Sequence, residues 1–180
     1  MEKSLESTHI KRIALIGPES SGKTTLCMQL AAHYKTAWVP EYARMFMENL
    51  NRPYTYEDVV HCTREQINAE DTLLQKANRF LFCDTELINC KIWFDDVFKK
   101  EPAWLEEEIT KRKYDLHLLT SPDLEWVHEP VRENPHRREY FFNLYKQQLE
   151  KRNFVFRIVN GSGEARLDSA VRFIDSLFNN

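Results

Sequence analysis

Eight consecutive residues, Gly17-Pro18-Glu19-Ser20-Ser21-Gly22-Lys23-Thr24, concentrate the chemistry legible in this chain. They fit the spacing G-x-x-x-x-G-K-[ST], in which a glycine-rich loop turns its backbone N–H groups toward an anion. An apolar run, residues 12–16, precedes them as a buried strand would. Leu26, Leu30 and Tyr34, with Cys27 and Ala31, follow at helical spacing. Strand, loop and helix start together place amide donors and the positive end of a helix dipole beside a phosphate. The backbone from Gly17 through Thr25 would cradle the phosphates, Lys23 would reach the β- and γ-phosphates, and the Thr24 hydroxyl would ligate Mg²⁺. The pattern implies a nucleoside triphosphate, ATP, bound with magnesium.

Three further groups could act on that phosphate. Asp84 closes the apolar run Phe80-Leu81-Phe82-Cys83, and a carboxylate there suits a magnesium ligand or a general base, or equally a helix cap. Glu41 and Arg44 share one face of a helix start in Glu41-Tyr42-Ala43-Arg44. Glu41 could take a proton from an attacking hydroxyl and Arg44 could hold a transferring phosphoryl group, and Tyr42 falls in the same substrate region. The bland alternative is a solvated ion pair of little energetic weight. Arg132, with Arg137 and Arg138, follows Trp126 in a proline-broken stretch. A mobile arginine closing over ATP offsets charge on the equatorial oxygens and excludes water. Trp126 either stacks on a planar ring or anchors the segment. Glu86 reads as solvated first-turn charge, Lys111-Arg112-Lys113 as solvated charge, and Trp93, Phe94, Phe141 and Phe142 as core.

The elements that must position these groups alternate. Strands are expected at residues 12–17, 37–40, 80–84, 114–119 and 154–159, and helices at 23–34, 41–50, 55–78, 85–99, 103–113, 136–151 and after 163. Thr55 and Asp58 form a capping-box pattern ahead of the third helix. Residues 121–134 read as loop, so a lid is expected at about 121–138, and residues 1–9 as a loose lead-in to one domain, 10–180. Such alternation implies a parallel sheet with helices on both faces and a ligand cleft beyond the strand C-termini. The turn holding Gly161 would border that cleft beside the adenine. At 180 residues the chain suits one domain, and a net charge of −3 gives no broad footprint for nucleic acid. No apolar stretch suits a membrane span or a signal peptide. Four cysteines without a C-x-x-C pair, and scattered histidines, suit reduced thiols in the cytoplasm and no zinc site.

The phosphate loop with Glu-Ser-Ser inside it, Glu41-Tyr42-Ala43-Arg44, Asp84-Thr85, the order Pro122-Asp123-x-x-Trp126 to Arg132 to Arg137-Arg138, and Arg166 in the last helix resemble the ribosylnicotinamide kinase domain of NadR-type proteins. The resemblance runs from about residue 10 onward. It implies a P-loop NTPase three-layer sandwich with a five-stranded parallel sheet, ordered as in nucleoside monophosphate kinases. It also implies transfer of the ATP γ-phosphoryl to the 5′-hydroxyl of nicotinamide riboside. Glu41, Arg44 and Asp84 would flank the acceptor, and the Trp126–Arg138 segment would be the lid. Relatives tend to carry Asp-Gly-x-Arg where this chain has Glu129-Pro130-Val131-Arg132. A proline there fixes φ and removes an N–H, so a different lid geometry is expected. Longer members add adenylyltransferase and DNA-binding domains, and this chain is expected to be a stand-alone kinase domain. Two other readings stay open on the residues alone: the same chemistry on another nucleoside, nucleotide or metabolite, or an ATP-binding regulatory ATPase.

Overall fold

The structure, a computed structural model, describes residues 9–129 and 132–179. The expected lead-in, apart from His9, and the Pro130 position lie outside the described residues. Five parallel strands, β1 (Lys11–Ile16), β2 (Trp38–Val39), β3 (Phe80–Asp84), β4 (Leu116–Thr120) and β5 (Phe156–Val159), form one sheet in the order β2-β3-β1-β4-β5. Helices α1 (Lys23–Tyr34) and α7 (Gly163–Phe178) cover one face. Helices α3 (Tyr56–Leu74), α4 (Leu87–Trp93), α5 (Leu105–Lys111) and α6 (Arg138–Lys151) cover the other, and α2 (Tyr42–Glu48) follows β2.

The alternation within β1 explains the two faces. Ile13 and Leu15 pack with Leu26, Leu30 and Ile174, whereas Ala14 and Ile16 pack with Val59, Ile88 and Leu149. A strand buried on both faces reads as a continuous apolar run, which is how β1, β3 and β4 stood out in the sequence. Register then places the chemistry. Leu15 lies opposite Asp84, Ile16 opposite Leu119, and Val39 opposite Cys83. The phosphate loop, Asp84, Thr120 and the Glu41 helix start therefore all emerge from the C-terminal edge of one sheet.

Several expectations about side chains are corrected. Glu86 is not solvated: it is 2% exposed, caps α4 by accepting the Ile88 N–H at 3.0 Å, and lies 3.9 Å from His117. Burial pushes its carboxyl up to about 8 and holds the His117 imidazole down at about 4, so both are neutral near pH 7. Arg112 is not surface charge either, because its guanidinium pairs with Asp71 and approaches the buried Glu70 carboxylate at 3.6 Å. Helix α3 ends at Leu74 rather than residue 78, and α4 gives way to a π-helical turn at Phe94–Phe98. The expected capping box forms, with Asp58 Oδ2 accepting the Thr55 N–H at 2.7 Å. Among the described residues no helix is long and apolar enough to cross a membrane.

Candidate active site

The phosphate loop is shaped by close approach to β4. Gly17 has φ +144°, and a Cβ there would sit 2.4 Å from Thr120 Oγ1 and 2.7 Å from the Thr120 carbonyl oxygen, so only glycine fits. The Ser21 and Thr120 hydroxyls lie 2.6 Å apart, and Thr120 Oγ1 also reaches the Ile16 carbonyl at 3.1 Å. Gly22, at φ +76°, caps α1 with no side-chain hydrogen bond to the first turn. The opening amides of α1 are thus left for the loop's own ligand, where the dipole favours an anion. Lys23 Nζ donates to the Gly17 and Pro18 carbonyls at 3.0 and 2.9 Å, spanning the loop it would share with a phosphate.

Arg166 of α7 braces this loop from behind. It donates to Ser21 O at 2.7 Å, Ser121 O at 3.3 Å, Gly161 O at 2.5 Å and Asp123 Oδ1 at 2.8 Å, with its side chain only 5% exposed. Asp123 also accepts the Gly161 N–H at 2.6 Å, so Gly161 is tied to the loop's support. Asp123 is exposed, so the ion pair itself weighs little. Arg166 also serves the Ser21 and Ser121 carbonyls in the interior, however, and each buried acceptor left unsatisfied costs about 1 to 3 kcal/mol. Arg166→Met should therefore lower Tm by roughly 10 °C and weaken ATP binding, as checked by thermal melts and titration calorimetry.

On the donor side, Asp84 is 1% exposed. Its Oδ2 accepts the Thr24 hydroxyl at 2.5 Å, whereas Oδ1 is buried without a hydrogen-bond partner among the described residues. Burial raises the Asp84 carboxyl, against the pull of Lys23, Thr24 and Arg44. An anionic oxygen with no donor, beside a threonine hydroxyl, is the donor set a magnesium ion wants. The next residue, Thr85, is held at φ +71° while its N–H donates to Leu15 O at 2.9 Å, extending the β1–β3 ladder. A β-branched residue in that region is strained, and such strain persists only where surrounding bonds impose it.

Across the same cleft, of about 560 Å³, Glu41 caps α2 with extended backbone. Burial and the Asp84 carboxylate push its carboxyl up to about 7, with Lys23 and Arg44 opposing them. Tyr54, Trp93, Phe141 and Tyr145, joined by Asn89 and Met47, form the wall beyond Glu41. Trp93 Nε1 donates to the Tyr54 hydroxyl at 3.3 Å, and their rings meet edge to face at 5.2 Å.

Described residues of the segment expected to form a lid fold back on the phosphate loop. Arg132 donates to Ser20 Oγ at 3.0 Å and Val127 O at 2.7 Å, and pairs with Glu129 at 2.8 Å. Glu19 accepts the Glu133 and Asn134 N–H groups at 3.2 and 3.1 Å, and Arg138 donates to Ser20 O at 3.1 Å. Arg44 pairs with Glu129, joining α2 to the lid.

Of the residues singled out in the sequence, Gly17, Glu19, Ser20, Ser21, Gly22, Lys23, Thr24, Thr25, Glu41, Arg44 and Arg132 line this cleft. Asp84 joins them through Thr24. Five others, Arg138 among them, do not line it. Tyr42 packs against Phe46 and His61, and Trp126 lies apart, half-buried. Gly161 sits in the Arg166 network, and Arg137 is held in a bidentate pair with Asp96 at 2.8 and 2.5 Å. Asp96 does line the cleft, so Arg137 reaches it through that carboxylate. The aromatic wall was missed. The helical spacing of Trp93 and Phe141 predicts core; both pack against the core, yet they also face the cleft. Tyr54, just ahead of the Thr55 cap, was the one signal available.

A phosphate loop after the central strand, a carboxylate closing the neighbouring strand and the order β2-β3-β1-β4-β5 define the P-loop NTPase fold of the nucleoside-kinase kind. The AAA_28 family model, described as an AAA domain, matches residues 12–166, and the chain belongs to that family. It is 26% identical over 155 residues to the trifunctional NAD biosynthesis/regulator protein NadR of Escherichia coli K12, covering 82% of this chain and 37% of that protein. A crystal structure of NadR protein in complex with NR superposes with a TM-score of 0.83 at 22% identity, covering 95% of this chain and 52% of that one. Deoxyadenosine kinase from M. mycoides, with dCMP and dCDP bound, superposes with a TM-score of 0.65 at 10% identity over 92% of this chain and 99% of that one. The chain thus spans little more than a third of the curated relative's length.

Proposed function

We propose that this chain is an ATP-dependent phosphotransferase that moves the γ-phosphoryl group to a nucleoside hydroxyl, with nicotinamide riboside as acceptor and nicotinamide mononucleotide as product. The observation that carries this reading is that one cleft is lined both by Lys23 and Thr24, with Asp84 bonded to Thr24, and by Glu41 and an aromatic wall. A bare ATPase also needs a residue to orient the attacking water, but it has no use for an aromatic wall in the same cleft.

In this mechanism the loop amides and Lys23 hold the triphosphate, and the α1 dipole adds to their field. Thr24 and Asp84 would hold Mg²⁺, which neutralises charge on the β- and γ-phosphates when bound. Glu41, titrating near 7, accepts the proton of the attacking hydroxyl. Arg44 and Arg132 stand where they can offset charge on the transferring group, and the lid held by Glu19 and Ser20 excludes water. Tyr54 and Trp93, whose rings meet edge to face, give the cleft aromatic lining, which suits a cationic pyridinium ring such as that of nicotinamide riboside. The NR bound to a NadR structure of the same fold supports this choice of acceptor.

ADP release from MgATP, measured over a panel of ribosides, deoxyribosides and nucleotides, tests the proposal. Nicotinamide riboside is expected to raise turnover most. Equal stimulation by every riboside, or none above water, overturns it, and a stronger response to a deoxynucleoside moves the acceptor while keeping the reaction class.

A further inference from the structure

Behind Glu41 lies a second, much smaller space. Glu41, Ala43, Asn89 and Trp93 line both it and the main cleft, so they form the partition between the two. On its far side stand Thr63 and Gln66 of α3, which are 0% and 3% exposed. The space measures about 10 Å³, close to the minimum for one water molecule.

Gln66 is oriented by its surroundings. Its Oε1 accepts the Tyr42 N–H at 2.8 Å, and Tyr42 opens the helix that Glu41 caps. A backbone N–H can only donate, so the amide oxygen must face Tyr42 and the NH₂ group must face the other way. That Nε2 is buried and has no hydrogen-bond partner among the described residues. A buried amide donor left unsatisfied is costly, and native interiors rarely tolerate one without a bridging water. Thr63 Oγ1 already donates to Val59 O at 2.7 Å, so it offers its lone pairs. One water here would accept from Gln66 and donate to Thr63 and to the Glu41 carboxylate, three bonds in all, as buried waters make.

We propose that Gln66 is a positioning residue for Glu41, holding its helix start through the Tyr42 N–H and its carboxylate through one water in the cavity between α3 and α4. The inference rests on the reading of Glu41 as the acceptor-side base. Gln66 touches neither substrate nor phosphate. It acts by keeping the base from swinging back toward α3, and a small misplacement of a reacting group costs up to about a hundredfold in rate.

The test is a double-mutant cycle on the full chain with MgATP and nicotinamide riboside. Gln66→Met, similar in size and without donor or strong acceptor, should lower kcat about 10- to 100-fold, with KM for ATP within about twofold, since the phosphate loop is untouched. In a Glu41→Gln background the same change should cost nothing further, because its route of action is gone. An equal fold-loss in both backgrounds, or an unchanged kcat, overturns the inference. If Gln66→Met does not fold, Gln66→Asn keeps a neutral amide one methylene shorter, which cannot reach the Tyr42 N–H and the cavity together. The same loss, and the same silence beside Glu41→Gln, is then expected. Full acceptor turnover by Glu41→Gln alone removes the base assignment and this inference together, whereas a crippled Glu41→Gln beside a normal Gln66→Met removes the inference only. A crystal structure should show one water touching Gln66 Nε2 and the Glu41 carboxylate, and a dry cavity overturns the bridge.

Discussion

Lys23→Ala is expected to lower acceptor phosphorylation by about 10² to 10³-fold, the usual effect of deleting one preorganised donor to developing charge. That corresponds to about 2.7 to 4 kcal/mol of transition-state stabilisation. Stability should fall by only about 1 kcal/mol, because of the two buried carbonyls that Lys23 serves, Gly17 and Pro18, the Pro18 oxygen keeps the Ser21 hydroxyl as a donor. Both bonds are ones a bound phosphate would compete for, so their loss removes the site's response to ligand rather than its scaffold. The scaffold belongs to Gly17, Ser21, Thr120 and Arg166. Product formation, read beside a thermal melt, checks both halves. An unmelted variant with undiminished turnover would mean that the phosphates are held elsewhere.

Glu41→Gln is expected to move activity and stability in opposite directions. A general base contributes about 10²- to 10⁴-fold, so kcat/KM should fall by that range. The wild type works only with Glu41 ionised. Its kcat/KM should therefore fall about tenfold per pH unit below a pH near 7, the value to which burial and Asp84 push this carboxyl, and that limb should vanish in the variant. For stability the sign is the reverse. A carboxyl whose folded value lies above its unfolded one favours the folded state when protonated. Its contribution is complete below about pH 4.5 and is lost as pH rises to about 7. At pH 8 the wild type therefore bears an ionised, half-buried carboxylate beside Asp84, and Glu41→Gln relieves it by on the order of 1 to 3 kcal/mol. Thermal melts at pH 5 and pH 8 should show the variant gaining only at the higher pH. A gain of equal size at both would place Glu41 in ordinary packing, outside the chemistry.

Strain of this kind recurs around the cleft. Ser20 and Thr85 are non-glycine residues at positive φ, +55° and +71°, one on the phosphate loop and one after the strand-end carboxylate. Asp84 keeps one buried oxygen without a donor among the described residues. Each is unfavourable alone, and strain of this kind clusters where a site is held ready for a ligand.

The phosphate loop was legible from eight adjacent residues because its function is local: glycines for backbone geometry, an amine and a hydroxyl at set spacing, a strand before and a helix after. Asp84 was legible for the same reason, as a charge ending a run too apolar to lie anywhere but in a buried strand. Periodicity also placed all five strands and the three-layer arrangement, since burial on two faces leaves a plain hydrophobic signature. Tertiary structure alone decided the aromatic wall of the cleft, the burial of Glu86 and Arg112, and the place of Gln66 behind Glu41. The inward face of a helix reads the same in sequence whether it meets packed core, a cleft or a buried carboxylate. Tyr54, Trp93 and Phe141 come from three separate elements, and only their meeting at the strand edge makes them a site.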